Sequence, residues 1–199
     1  GVYLPGKLYK TISKDENWTE SSGKAGITEE FKDLEGRVVL KRIWETDTKG
    51  LSTYYVYDDF GNLRYVLPPA VNENGQNPVN SFAEADDAFK HFMYGYHYDG
   101  RKRLVEKKIP GKGWEHLVYN KLDQVVLSQD ALQRANGKWL FTKYDALGRV
   151  VVTGLYADAS SREVLTTTIN NETVLWENRV GTGIGYDNGS FPRTTAYYH

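Results

Sequence analysis

Tyr54-Tyr55-Val56-Tyr57-Asp58-Asp59-Phe60-Gly61-Asn62-Leu63-Arg64-Tyr65-Val66-Leu67-Pro68-Pro69 reads as two aromatic strands folded about one tight turn. Asp58 is suited to the first turn position, because its carboxylate can accept from the backbone N–H groups just ahead. Gly61, three residues on, tolerates the left-handed conformation that closes a type I turn with a G1 bulge, giving a three-residue hairpin loop. Placing Asp58 opposite Asn62 sets Tyr57 against Leu63 and Tyr55 against Tyr65. One face would then carry Tyr55, Tyr57, Leu63, Tyr65 and Leu67, the other Tyr54, Val56, Arg64 and Val66. Pro68-Pro69 ends the second strand, since neither residue can donate to a ladder.

The unit recurs. Aligned on the turn acid, copies run from Phe31-Lys32-Asp33, Tyr57-Asp58, Tyr98-Asp99, Tyr119-Asn120 and Tyr144-Asp145, with spacings of 25, 41, 21 and 25 residues. The residue before the turn acid is Tyr in all but the first copy, where it is Lys32. Two residues beyond the glycine slot every copy is aliphatic: Val38, Leu63, Leu104, Val125 and Val150. The slot itself holds Gly36, Gly61, Lys102, Asp123 and Gly148, so the turns at Lys102 and Asp123 are expected to close differently. The structural turn residues are therefore Asp33, Gly36, Asp58, Gly61, Asp99, Asn120, Asp145 and Gly148. Repeats of this period signal stacked supersecondary units, each covering its neighbour.

Tyr-Asp-x-x-Gly-Arg, with aliphatic residues after it, resembles the YD repeat of the RHS family of bacterial envelope and secreted proteins. The resemblance covers residues 28–156 and is closest over 54–69, 94–110 and 139–156. It implies a β-strand spiral winding into a hollow shell, within a larger protein that carries a C-terminal toxin or adhesive region. It also implies a secreted or cell-surface location. No aspartyl self-cleavage core and no toxin segment is recognisable, and the chain opens on Gly1 rather than Met, so a fragment of a longer chain is expected.

The expected fold is mostly β: an array of antiparallel hairpins over 28–156, led by a strand and loop in 1–27 and followed by a β extension in 157–199. Strands are expected at 8–13, 166–169 and 173–176, and loops at 70–80 and 129–138. Within the 70–93 insertion, Ser81 with Glu84 forms a capping-box pattern ahead of Ala85, Ala88, Phe89, Phe92 and Met93. That spacing predicts a helix over 81–93.

In 199 residues the aromatic share is 14%, with 15 Tyr, 7 Phe and 5 Trp against a single Met, a balance that favours amphipathic β faces. Net charge is −1, and the two signs alternate, so no basic stripe argues for nucleic acid. The absence of Cys excludes disulfides and thiolate metal sites. No apolar run is long enough for a membrane helix, and no signal peptide is present.

Paired acids at Asp15-Glu16, Glu29-Glu30, Asp58-Asp59 and Asp86-Asp87 invite a hydrolase reading, but each has a local role in a turn, strand or helix start. His91, His97, His116 and His199 follow no recognised metal spacing. Gly181-Thr182-Gly183-Ile184-Gly185 lacks both the third dinucleotide glycine and a βαβ context. Sequons at Asn17, Asn171 and Asn188 read as chance matches. No cofactor is expected. Tyr94, Tyr96, Trp114, Trp139 and Trp176 would stack sugar rings if exposed, which keeps a carbohydrate-binding module as the alternative to a non-enzymatic structural module. The expected partners are the rest of a longer chain, with cell-surface carbohydrate under the alternative. Strand edges left by excision would also promote weak self-association.

Overall fold

The computed structural model describes residues 3–71, 81–181 and 185–193. The expected readings at residues 72–80, at 182–184 within the glycine run, and at the C-terminal Tyr197-Tyr198-His199 lie outside them. Among the described residues are eleven antiparallel strands, whose order in the sheet is their order in the chain. They are β1 Tyr9–Lys14, β2 Ile27–Lys32, β3 Val38–Trp44, β4 Gly50–Tyr57, β5 Leu63–Leu67, β6 Tyr94–Tyr98, β7 Leu104–Ile109, β8 Gly113–Tyr119, β9 Val125–Gln129, β10 Lys138–Tyr144 and β11 Val150–Ala157. The helices are α1 Asp87–Phe92, α2 Ala131–Ala135 and α3 Arg162–Asn171. The chain divides into two compact units, Gly1–Tyr96 with Lys108–Gly111 and His97–Lys107 with Lys112–His199, so the division passes through β6 and β7.

The β4–β5 hairpin forms as expected, with one correction to its register. Tyr57 does oppose Leu63, but Val56 opposes Tyr65 and Tyr55 opposes Val66, leaving Arg64 as an extra residue. The same insertion follows three other turns, at Val39, Val126 and Val151. A bulged return strand displaces every pair beyond it by one, which moves Tyr55 off the face of Tyr65.

In the first unit, Val39, Leu67, Phe89 and Met93 are buried. Phe82 stacks on Phe89 at 5.8 Å, and both meet the Tyr65 ring edge-on. The helix here is shorter than expected, because Asp86 rather than Ser81 stands at its N-cap. Asp86 Oδ2 accepts from Ala83 N at 2.7 Å, while Glu84 takes the Tyr65 hydroxyl at 2.6 Å instead of closing a capping box. At the other end, buried Lys108 donates to the carbonyls of Phe89, Lys90 and Met93 at 2.8–3.0 Å, satisfying groups that a helix C-terminus leaves open.

In the second unit the core is Val118, Val126, Leu127, Trp139, Phe141, Leu165 and Ile169. Gly154 opposes Phe141, and a Cβ there would meet the ring at 2.8 Å, so the close strand packing depends on glycine. The expected loop at 129–138 contains α2, whose N-cap Asp130 and Gln133 exchange hydrogen bonds in a capping box.

The strand expected at 166–169 is instead part of α3, and that at 173–176 is not one of the eleven. Strand propensity misled at 166–169: three consecutive threonines, Thr166 to Thr168, turn their hydroxyls onto carbonyls four residues back, at 2.7–3.1 Å. Burial of Leu165 and Ile169, one helical turn apart, decides the outcome.

Candidate functional site

The strongest constellation is the one that repeats. In every turn the acid's N–H donates to the carbonyl four residues on, at 2.9–3.0 Å, and the slot residue donates back to the acid's carbonyl. The Oδ1 atom of Asp33, Asp58, Asp99, Asn120 and Asp145 accepts from two backbone amides, two and four residues ahead. Gly36, Gly61 and Gly148 sit at φ 81°, 81° and 78°, as the turn requires. Lys102 and Asp123 sit at 60° and 61°, correcting the expectation that their turns close differently. Four hydrogen bonds fix this backbone, and the slot residue takes the left-handed strain whatever its side chain.

The second carboxylate oxygen faces the side chain four residues on. Arg37, Arg103 and Arg149 each donate Nε to it at 2.7 Å, and Asn62 donates Nδ2 to Asp58. Burial pushes the Asp33 carboxyl up, but the Arg37 bond and two backbone amides outweigh it and hold the group below its ordinary value. The Asp145 carboxyl is likewise lowered, first by the backbone and then by the side chain of Arg149. At Asn120 the polarity is reversed, with its Nδ2 donating to Gln124 Oε1 at 2.7 Å.

These turns are joined from one repeat to the next. The Tyr57 hydroxyl donates to Val38 O at 3.0 Å, Tyr119 to Leu104 O at 2.9 Å and Tyr144 to Val125 O at 2.8 Å. In each case the acceptor is the aliphatic slot of the preceding repeat. The turn arginine of one repeat also covers the tyrosine ring of the next, Arg37 over Tyr57 at 5.1 Å and Arg103 over Tyr119 at 4.8 Å. Tyr, acid, Arg and aliphatic residue thus form one joint, which explains why they recur together.

The chain shares its fold with part of a much longer chain of solved structure. A TcdB2–TccC3–TEV crystal structure matches with a TM-score of 0.50 at 15% identity, covering 68% of this chain and 6% of that one. A Photorhabdus luminescens Tc holotoxin pore carrying a TccC3 variant matches at 0.48 and 14%, over 68% and 6% of the two chains. TcdB2–TccC3 without its hypervariable C-terminal region matches at 0.47 and 14%, over 73% and 7%. At 15% identity the first of these shows a shared fold and nothing further. The chain spans well under a tenth of their length. No family model and no curated protein matches it.

Two polar clusters in the second unit escaped the sequence reading. Glu106 on β7 takes His97 Nδ1 at 2.6 Å and Arg162 Nε at 3.0 Å, and His116 Nε2 lies 3.6 Å away. His97 above all, then Arg162, pushes its carboxyl down to about 2. Burial lowers the His116 imidazole, and Arg134 adds to that. The other cluster is the buried pair Lys143–Glu177 at 2.9 Å, in which Lys143 also donates to Asn188 and Ser190 O, while Glu177 accepts from Gly189 and Ser190. It ties the segment around 177–190 to β10. Neither was legible, because Glu106 meets Arg162 of α3 across 56 residues and Lys143 meets Glu177 across 34.

The five candidate sugar-stacking aromatics differ in exposure. Trp139 is fully buried in the core, which removes it from any such role, and Trp114 lies half-buried against the His97 ring at 4.4 Å. Tyr94 and Tyr96 are half-buried on β6, whereas Trp176 is 39% exposed. Among the described residues no group of three or more His, Cys, Asp or Glu is arranged to hold a metal, and no helix is long and apolar enough to cross a membrane.

Proposed function

We propose that this chain is a non-enzymatic structural YD-repeat module of a longer RHS-type protein, a segment of shell or scaffold whose principal partner is the rest of its own chain. The joint between successive repeats carries this reading. Its conspicuous side chains are spent on holding turns and neighbouring strands, with Tyr57, Tyr119 and Tyr144 each bonded to the repeat before. The fold shared with much longer toxin-complex chains supports membership of a larger assembly and a secreted setting.

Replacing Tyr57, Tyr119 and Tyr144 by Phe removes one hydroxyl per joint. Each substitution is expected to cost about 1 kcal/mol, the usual net worth of a hydrogen bond. The wild-type chain should show no turnover on glycans, peptides or esters. Activity that disappears on replacing a single acid would overturn the reading.

A further inference from the structure

In the second unit a cavity of about 290 Å³ opens beside β8, α2 and the start of α3, lined among others by His116, Arg134, Ser160, Ser161, Arg162 and Glu163. Its size is at the lower end for small-molecule sites, and its lining residues, all but Ala159 polar or charged, expose mostly carbon to it, so a small ligand with one charged end and an apolar remainder fits it.

The charges on the wall are unevenly matched. Arg162 is paired with two carboxylates, Nε on Glu106 at 3.0 Å and Nη2 on Glu163 at 2.7 Å. Arg134 donates Nη1 to Trp114 O at 3.1 Å, a neutral acceptor, and among the described residues no carboxylate lies within ion-pair distance of it. Its planar fork is the group that recognises a carboxylate through two parallel hydrogen bonds. The first turn of α3 adds no free site, since Ser161 Oγ accepts from Val164 N and the Glu163 carboxylate folds back onto its own N–H.

The elements packed around His116 contribute charges or rings, apart from β9, which sets the neutral Gln129 opposite it. Glu106 comes from β7, Arg134 from α2, Arg162 and Glu163 from α3, and the Trp139 ring from β10 at 6.4 Å, while His97 on β6 shares Glu106. Arg134 opposes a second positive charge on His116. An anion seated on Arg134 would cancel that opposition and favour the imidazolium. Two arginines against two glutamates leave no net charge, so one negative charge is balanced by one proton, whereas a dianion would face Glu106 and Glu163 with no further cation.

We propose that this cavity binds a small monocarboxylate, gripped by the Arg134 fork and accompanied by a proton on His116. Binding is then stronger in mild acid, by up to about tenfold per pH unit while one proton is taken up.

The test is an acetate titration of the full chain between pH 7.5 and 5.5, at ionic strength matched with chloride, followed by NMR of the His116 ring. Saturable binding that moves the His116 midpoint upward is expected, with inorganic phosphate binding more weakly than acetate at pH 7. Arg134→Gln should weaken acetate at least tenfold, in line with the loss of a charge-assisted pair, and Arg134→Lys should weaken it less. The wild-type titration decides the matter even if Arg134→Gln disturbs folding through Trp114. A response that does not saturate, one equal in folded Arg134→Gln, or tighter binding of phosphate would each overturn the proposal.

Discussion

The turn at 120–124 and the turn at 145–149 share one backbone and have opposite side-chain polarity. At 145–149, Asp145 Oδ2 accepts from Arg149 Nε at 2.7 Å and Gly148 occupies the left-handed slot. At 120–124, Asn120 Nδ2 donates to Gln124 Oε1 at 2.7 Å and Asp123 occupies the slot at φ 61°. What the two turns hold in common is the Oδ1 atom, which accepts from two backbone amides in both. The motif is therefore defined by that acceptor together with a complementary partner four residues on. Neither the negative charge nor the glycine is indispensable.

The largest expected effect comes from removing the acceptor altogether. Asp33 is buried and supports two amides and the Arg37 guanidinium, so Asp33→Ala should destabilise its unit by about 3 kcal/mol, leaving those donors without a partner. Asn120→Ala removes neutral bonds only and should cost about 1 kcal/mol less. Urea midpoints measure both, and equal losses would mean that charge contributes nothing to the turn.

Polarity matching should be visible in a mutant cycle. Gln124→Arg alone sets a guanidinium donor against the Asn120 Nδ2 donor, whereas Asn120→Asp with Gln124→Arg recreates the pair seen at Asp33, Asp99 and Asp145. The double variant is expected to recover about 1–2 kcal/mol relative to the sum of the single changes. Additive effects would remove the complementarity argument.

That cycle also marks how far the sequence could be read. Tyr-Asp-x-x-Gly-Arg exposed the hairpins and their turn atoms because everything the motif needs lies within about five residues of the acid. The slot residues Lys102 and Asp123 defeated a glycine rule, since a network of hydrogen bonds around a turn can impose a left-handed residue. Tyr65 and Leu67 were placed on the face of Tyr55 and Tyr57, not on that of Val56 and Tyr54, because the bulge residue Arg64 is invisible to alternation. The α3 helix was hidden by threonines whose strand preference yields to Leu165 and Ile169 reaching a core built elsewhere in the chain. Glu106 and Arg162 meet across 56 residues, a distance that no local pattern spans.

Acid should separate the two kinds of turn. The carboxyls of Asp33, Asp58, Asp99 and Asp145 all sit below their ordinary value of 3.8 in the folded chain. Their contribution is present above that value and is lost as pH falls through the lower folded values. Glu106 adds to the same loss between 4.5 and about 2. Asn120 has no proton to gain. Amide exchange followed as the pH is lowered should therefore show Leu122 and Gln124 still protected after Glu35, Arg37, Leu147 and Arg149 have opened. Simultaneous loss at all six would indicate that the turns fail with their units and not one by one.

The smallest effect concerns the slot itself. Lys102 is exposed and held at φ 60°, a conformation that costs a residue with a Cβ about 1–2 kcal/mol. Lys102→Gly removes that strain but loosens the unfolded chain, which offsets about 0.5–1 kcal/mol. A net gain of about 0.5–1 kcal/mol is expected, read as a small rise in melting midpoint. Gly148→Lys is the reverse experiment: its new Cβ would lie 3.4 Å from Gln124 Nε2, the movable end of a flexible side chain, so strain and not collision should set the loss. If Lys102→Gly instead lowers the midpoint, the contacts of the lysine side chain outweigh its backbone strain. The third repeat would then have gained a side-chain contact where the first, second and fifth keep a relaxed backbone.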